Sequence, residues 1–147
     1  MKRIVLFTSL ILVLLCGCNN SPRTQVSDKS VIEAKEIIKN SVLEYNKMCP
    51  INYGKTVLES VNYDYIENEV NYNYTIEQIN KVDNLKNVKE GMLLAIKGEY
   101  IGNSQTQIIY NAIIKARAKM IYNYYTKEGK TLKIELLPSE IESSIRN

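Results

Sequence analysis

The chain has 147 residues, 45% of them hydrophobic and 24% charged, which suits one globular domain and excludes both a long disordered chain and a polytopic membrane protein. Lys and Arg number 19 against 16 Asp and Glu, a formal charge of +3, and there is no His, no Trp, and 11 Tyr beside a single Phe. The absence of His removes the Ser-His-Asp triad, Cys-His pairs, imidazole zinc ligation and a protonation switch near neutral pH.

The N-terminus carries the most specific signal. Lys2 and Arg3 precede an apolar run from Ile4 to Leu15, interrupted only by Thr8 and Ser9. At a rise of about 1.5 Å per residue the run is too short to span a bilayer comfortably. A basic start, a short apolar core and small residues at its end read as an export signal that is later removed. The run ends Leu15-Cys16-Gly17-Cys18. This resembles the lipobox of bacterial lipoproteins, an aliphatic residue and two small residues before the Cys that is acylated and becomes the new N-terminus. Cys18 fits, with Gly17 before it and Leu15 three positions back; at Cys16 the bulky Leu15 would occupy a position that needs a small residue. An ordinary signal peptide or an anchoring helix with incidental cysteines is the alternative.

The resemblance implies cleavage between Gly17 and Cys18 and attachment to the membrane through acyl chains on Cys18. Each buried methylene contributes about 0.8 kcal/mol, so one chain holds marginally and two or more hold firmly. Asn19, not Asp, follows Cys18. The family's inner-membrane retention signal is therefore missing, and the outer membrane is expected if the organism is Gram-negative.

Processing changes the arithmetic. Losing Lys2 and Arg3 takes the basic residues from 19 to 17 against 16 acids, a side-chain balance of +1. No basic run exceeds two residues, so no footprint for nucleic acid is present. Phe7 leaves as well, and every aromatic residue of the mature domain is Tyr. Cys16 is removed and Cys18 acylated, leaving Cys49 without an intramolecular disulfide partner. Cys49 reads as a small buried hydrophobe beside Pro50, as an intermolecular bridge, or as a nucleophile that Lys47 would have to activate.

In chain order, residues 1–17 are the signal peptide, 18–29 the lipidated Cys and a polar tether, and 30–147 a single α+β domain. Ser30 and Glu33 have capping-box spacing for a first helix. Its apolar stripe is Val31, Ala34, Ile38, Val42 and Tyr45, and Cys49-Pro50 and Gly54 end the segment. Val57, Glu59, Val61, Tyr63 and Tyr65 then alternate with Leu58, Ser60, Asn62 and Asp64, and Val70, Tyr72, Tyr74 and Ile76 alternate with polar residues. Around Ile66-Glu67-Asn68 these runs predict an antiparallel hairpin. Residues 77–118 are helical in pattern, with one stripe of Leu85, Val88, Met92 and Ala95 or Ile96 and another of Ile109, Ala112, Ile113 and Ala116. The break is placed near Gly102–Ser104. A second hairpin joins Met120, Tyr122 and Tyr124 to Leu132, Ile134 and Leu136 through a turn at Gly129. Pro138 stops the last strand, and Ser139 with Glu142 is spaced to cap a short terminal helix. The fold class is α+β, an antiparallel sheet of two β-hairpins packed against helices in the order α-ββ-αα-ββ.

Asn46-Lys47-Met48-Cys49-Pro50, the strand with Tyr72 and Tyr74, and Ile121-Tyr122-Asn123-Tyr124 before Gly129 also resemble small exported lipoproteins of gut-type bacteria, a likeness that implies no activity. No phosphate loop, Gly-x-Ser-x-Gly elbow, Cys-x-x-Cys or EF-hand loop occurs. Asp64, Glu67 and Glu69 bind a hard cation only if they converge. No metal or cofactor is implied. The strand tyrosines suit either half-buried packing or a recognition surface. Tyr125 lies on the side opposite Tyr122 and Tyr124 and is the candidate for an exposed binding surface. The sequence therefore predicts a lipid-anchored, non-enzymatic binding or structural module of the bacterial cell envelope with a protein partner, its oligomeric state left open. An immunity or exclusion lipoprotein acting against a toxin, phage or conjugating plasmid is one alternative, a small envelope hydrolase or thiol enzyme another.

Overall fold

The computed structural model describes residues 23–77 and 85–147, with side chains from residue 29 onward. Gly17, Cys18 and the start of the tether lie outside the described residues. Helix α1 spans Arg23–Asn46, so Ser30 lies inside it and not at its cap. No Gly or Pro occurs between Arg23 and Ser30 to stop a helix, and Pro22 precedes it, where proline is tolerated. Ala34, Ile38 and Val42 recur at four-residue steps and are buried.

The described strands are β1 (Ile51–Asn52), β2 (Thr56–Asp64), β3 (Glu69–Ile76), β4 (Lys119–Thr126) and β5 (Thr131–Leu136), in one sheet of order β1-β2-β3-β4-β5. Both expected hairpins form, β2 with β3 and β4 with β5. The sheet is nevertheless mixed, because β3 and β4 pair in parallel. Parallel neighbours need a long crossover, and residues 77–118 supply it. That crossover contains α2 (Leu85–Gly102) and α3 (Ser104–Ala116). It ends beside the start of β3, where the Asn68 side-chain amide donates to the Ala116 carbonyl at 2.9 Å and the Lys119 N–H to the Asn68 carbonyl at 3.0 Å. Asn103 separates the helices as N-cap, its side chain accepting from the Gln105 N–H at 2.8 Å, and Arg117 closes α3 in the left-handed region.

The order also differs from α-ββ-αα-ββ at two points. The short strand β1 precedes the first hairpin, and the short terminal helix expected after Pro138, α4 (Pro138–Arg146), follows the second. Glu140, not Ser139 with Glu142, caps α4, accepting from the Leu137 N–H at 2.8 Å. In β2 a bulge between Leu58 and Ser60 breaks the alternation. One extra residue on the bulged strand reverses its side-chain phase. Leu58 and Val61 therefore share the core face, and Glu59 does not join Val61 there.

The helices cover one face of the sheet. Ile38 of α1, Ile96 of α2, Ile113 of α3 and Ile141 of α4 join Leu58, Val70, Met120 and Leu136 in a single core. Of the predicted α2 stripe, Ile96 is buried and Met92 half-buried, whereas Leu85 and Val88 stay exposed. The opposite face carries Asn71, Asn73 and Asn123; Asn123 donates to Asn73 at 3.1 Å, and Asn73 to Ser60 at 3.0 Å. Among the described residues no helix is long and apolar enough to cross a membrane.

Two predictions follow from the packing. Ile113→Ala, at a fully buried site, lowers unfolding stability by about 2–5 kcal/mol in urea titration, while Ile108→Ala, at a site 53% exposed, changes it by less than about 0.5 kcal/mol. Lys89 reaches both Glu140 oxygens at 2.8 and 3.0 Å. Burial raises the Glu140 pKa, but the Leu137 N–H and Lys89 together outweigh it and hold the carboxyl below 4.5. A depressed carboxylate stabilises the fold above its unfolded pKa and ceases to do so as pH falls through the folded value. Glu140→Gln therefore melts earlier than wild type at pH 7, and the gap closes below pH 4.5; a gap that persists at still lower pH refutes the assignment.

Candidate functional site

A cleft of about 390 Å³ opens between α1, α2, α3 and the core face of the sheet. That volume lies within the range of small-ligand and side-chain pockets. Among the described residues its aromatic lining is entirely Tyr: Tyr45 from α1, Tyr53 from the β1–β2 loop, Tyr72 and Tyr74 from β3, Tyr110 from α3 and Tyr122 from β4. Val42, Val61, Ile96 and Ile109 supply apolar wall, and Glu99 of α2 is its one carboxylate among the described residues.

The floor follows from strand register. Tyr72 is paired with Tyr122 and Tyr74 with Tyr124 across the parallel β3–β4 ladder. Their rings stack at 4.9 Å and 8°, and at 5.0 Å and 16°; Tyr74 and Tyr122 lie 6.4 Å apart at 12°. Offset aromatic pairs of this kind contribute about 0.5–1.5 kcal/mol each beyond their burial. On the helical side the Tyr110 hydroxyl donates to Glu99 Oε2 at 2.7 Å. Thr106 is committed to the α2–α3 junction, its hydroxyl meeting the Glu99 and Asn103 carbonyls at 2.7 Å each.

Burial is the first cause of a raised pKa throughout the cleft. It acts with the hydrogen bond to Tyr53 to push Tyr45 up to about 12. Tyr72, Tyr74 and Tyr122 are raised by burial and then by neighbouring phenols, and Tyr110 by burial and then by Glu99. All of these phenols therefore stay protonated near neutral pH, as hydrogen-bonding groups on rigid apolar bodies.

The predicted site residues fall elsewhere. Tyr125 is 44% exposed, on the sheet face away from the cleft. Cys49 is half-buried against the core, its thiol 3.8 Å from the Tyr45 carbonyl. Burial first, then the Glu59 charge, raises its pKa, the reverse of nucleophile activation. Asp64, Glu67 and Glu69 do not form a cation site. Asp64 accepts from the Ile66 and Glu67 N–H groups in the β2–β3 turn, at 2.9 and 3.0 Å, and Glu69 pairs with Lys119 at 2.6 Å. Among the described residues no group of three Cys, Asp or Glu is placed to hold a metal ion. Tyr45, Tyr53, Tyr110 and Glu99 were not legible as site residues. Tyr45 reads as the end of an apolar stripe, and the meeting of Glu99 with Tyr110 depends on the fold-back at Asn103.

A raised phenol pKa stabilises the fold fully below the unfolded value near 10, and the stabilisation is lost as pH rises through the folded value. Each such Tyr steepens alkaline destabilisation by about 1.4 kcal/mol per pH unit in that window. Tyr72→Phe therefore flattens the dependence of unfolding free energy on pH above pH 10, read by urea titration at a series of pH values. A slope identical to wild type overturns the burial assigned to that hydroxyl.

No family model matches the chain, and no curated protein matches it in sequence. Similar solved structures include the pilotin EpsS of the Vibrio vulnificus type 2 secretion system, with 10% identity over 78% of this chain and 96% of that one and a TM-score of 0.53. The type II secretion system pilotin AspS from Vibrio cholerae has 7% identity over 77% and 96%, with a TM-score of 0.51. A Pseudomonas aeruginosa protein described as secreted has 7% identity over 76% and 96%, with a TM-score of 0.52. At these identities the likeness is one of fold: this mixed α+β chain has the architecture of type II secretion pilotins.

Proposed function

We propose that this chain is a lipid-anchored lipoprotein of the bacterial cell envelope, attached through acyl chains on Cys18, whose domain binds a protein partner and carries out no chemistry of its own. The observation that carries the binding role is the cleft of about 390 Å³ lined by Tyr45, Tyr53, Tyr72, Tyr74, Tyr110 and Tyr122. Aromatic side chains with one polar tip bind at low cost in conformational entropy, because few torsions are fixed on binding. Tyr53 is 56% exposed, at the mouth of the cleft, where an incoming side chain meets it first.

The pilotin-like fold supports placing the partner among envelope assembly proteins, and Asn19 after Cys18 supports the outer membrane in a Gram-negative organism. The polar segment after Cys18 gives the domain reach from the bilayer. The phenols of Tyr45, Tyr72, Tyr74, Tyr110 and Tyr122, their pKa values raised by burial, present hydrogen-bonding groups to a peptide without adding charge to the site.

Anchoring and binding separate experimentally. Cys18→Ser moves the protein from the membrane fraction to the soluble fraction of its native cells; retention in the membrane refutes the anchor. A photo-crosslinking amino acid at Tyr53 yields a covalent adduct with one envelope protein, and Tyr72→Ala reduces that adduct by about tenfold or more, the range of an aromatic anchor in an interface. The same probe at Tyr125 gives none. An adduct insensitive to Tyr72→Ala, or equal at both sites, rejects the cleft as the binding surface.

A further inference from the structure

The two edges of the sheet are unlike. At one edge β1 is only two residues long (Ile51–Asn52). The other edge is β5, six residues with no Gly, no Pro and an unbroken register against β4. An edge strand that is neither shortened, bulged nor covered presents a row of free backbone groups to a further strand.

The ladder fixes which groups those are. The Thr126 N–H donates to the Lys130 carbonyl at 2.9 Å, which makes Thr126 and Lys130 a hydrogen-bonded pair. Antiparallel pairs alternate, so Leu132, Ile134 and Leu136 direct their backbone groups to β4, and Thr131, Lys133 and Glu135 direct theirs outward. Among the described residues, no hydrogen bond engages these outward groups. Helix α4 packs on α2 and α3.

Side-chain charge selects the occupant. Lys133 is exposed and Glu135 half-buried, side by side on the sheet face away from the helices, and neither is in an ion pair among the described residues. Lys119, the neighbouring cation, is taken by Glu69 at 2.6 Å. The sequence Leu132-Lys133-Ile134-Glu135-Leu136 is its own complement about Ile134. Read antiparallel against itself, Lys133 meets Glu135 twice, Leu132 meets Leu136 twice, and Ile134 meets Ile134. The register centred on Lys133 overlaps the strand equally but sets Lys133 against Lys133, which is unfavourable.

We propose that β5 is a dimerisation edge: two copies of this chain pair their β5 strands antiparallel about Ile134, with Lys133 of each copy facing Glu135 of the other. The arrangement is isologous and closes after two copies, which makes one continuous sheet through both domains. A single strand pair is a short interface, so association strengthens where copies are concentrated on one surface.

The test uses the full chain in its native membranes, with Cys49→Ser to remove the other domain thiol. Directly opposed residues of a hydrogen-bonded antiparallel pair have Cα atoms about 5.5 Å apart, within disulfide reach. Differently tagged Lys133→Cys and Glu135→Cys chains, co-expressed and mildly oxidised, form a disulfide-linked dimer carrying both tags, several-fold more than either variant alone. No mixed dimer overturns the proposal, and so does equal cross-linking by Lys133→Cys alone, which fits the register centred on Lys133. Charge variants give an independent reading by sedimentation of purified full chain. Lys133→Glu and Glu135→Lys each weaken self-association by about tenfold, two attractive pairs becoming two repulsive ones. Their equimolar mixture restores it, because each variant then faces its opposite charge. Wild-type association by either single variant, or no recovery in the mixture, likewise overturns it.

Discussion

Parallel pairing of Asn71-Tyr72-Asn73-Tyr74 with Ile121-Tyr122-Asn123-Tyr124 is the constraint on which both faces of the sheet depend. In a parallel ladder directly opposed residues point the same way, so two similar sequences set in this register place like against like. On the helical face Tyr meets Tyr, and the rings stack at about 5 Å. On the other face Asn73 and Asn123 meet, and their amides bond at 3.1 Å. A shift of two residues would keep the faces but leave Tyr72 against a different partner. A shift of one would send tyrosines to the polar face. The cleft floor, the amide row and the position of the crossover helices are three results of one register.

That register explains what was legible in the sequence and what was not. Period-two alternation correctly places Tyr72, Tyr74, Tyr122 and Tyr124 on the core side of their strands, and the helix break falls at Asn103, where Gly and Asn cluster. Local pattern has no means to state which hairpin edge joins which. β3 and β4 are separated by the whole crossover, and their join is set by where α3 delivers the chain, beside Asn68. The bulge in β2 is equally silent. Simple alternation sets Glu59 in one row with Val57, Val61 and Tyr63, and only the burial of both Leu58 and Val61 shows that one position has been skipped. The same alternation sets Tyr125 across the sheet from its neighbours, whereas Glu99 and Tyr110, from two helices, meet only once Asn103 folds the chain back.

Tyr in place of Phe has a particular consequence here. Phe at Tyr72, Tyr74 and Tyr122 would fill the same space and stack as well, and the cleft would be an apolar slot. The phenols add hydrogen-bonding groups at the rim of each ring without adding charge, because a phenol ordinarily titrates well above neutral pH and burial raises these further. Glu99 contributes the site's carboxylate, and Tyr110 already donates to one of its oxygens. A binder matched to this cleft is apolar in body, carries hydrogen-bonding groups at its edge, and need not be anionic, since among the described residues no Lys or Arg lines the wall.

The cleft and the β5 edge are physically separate, which lets them serve different purposes. The cleft lies on the core face, between α1, α2, α3 and strands β2, β3 and β4, whereas the free side of β5 faces outward at the edge of the sheet. Strand pairing at β5 uses backbone groups in the plane of the sheet and the side chains of Lys133 and Glu135 on its polar face. It leaves Tyr53 and the mouth of the cleft untouched. Two joined copies would present two clefts related by a two-fold axis, and a partner containing repeated copies of its own binding segment would engage both. The second engagement would then be intramolecular, its strength governed by how well the spacing of the partner's segments matches that of the clefts.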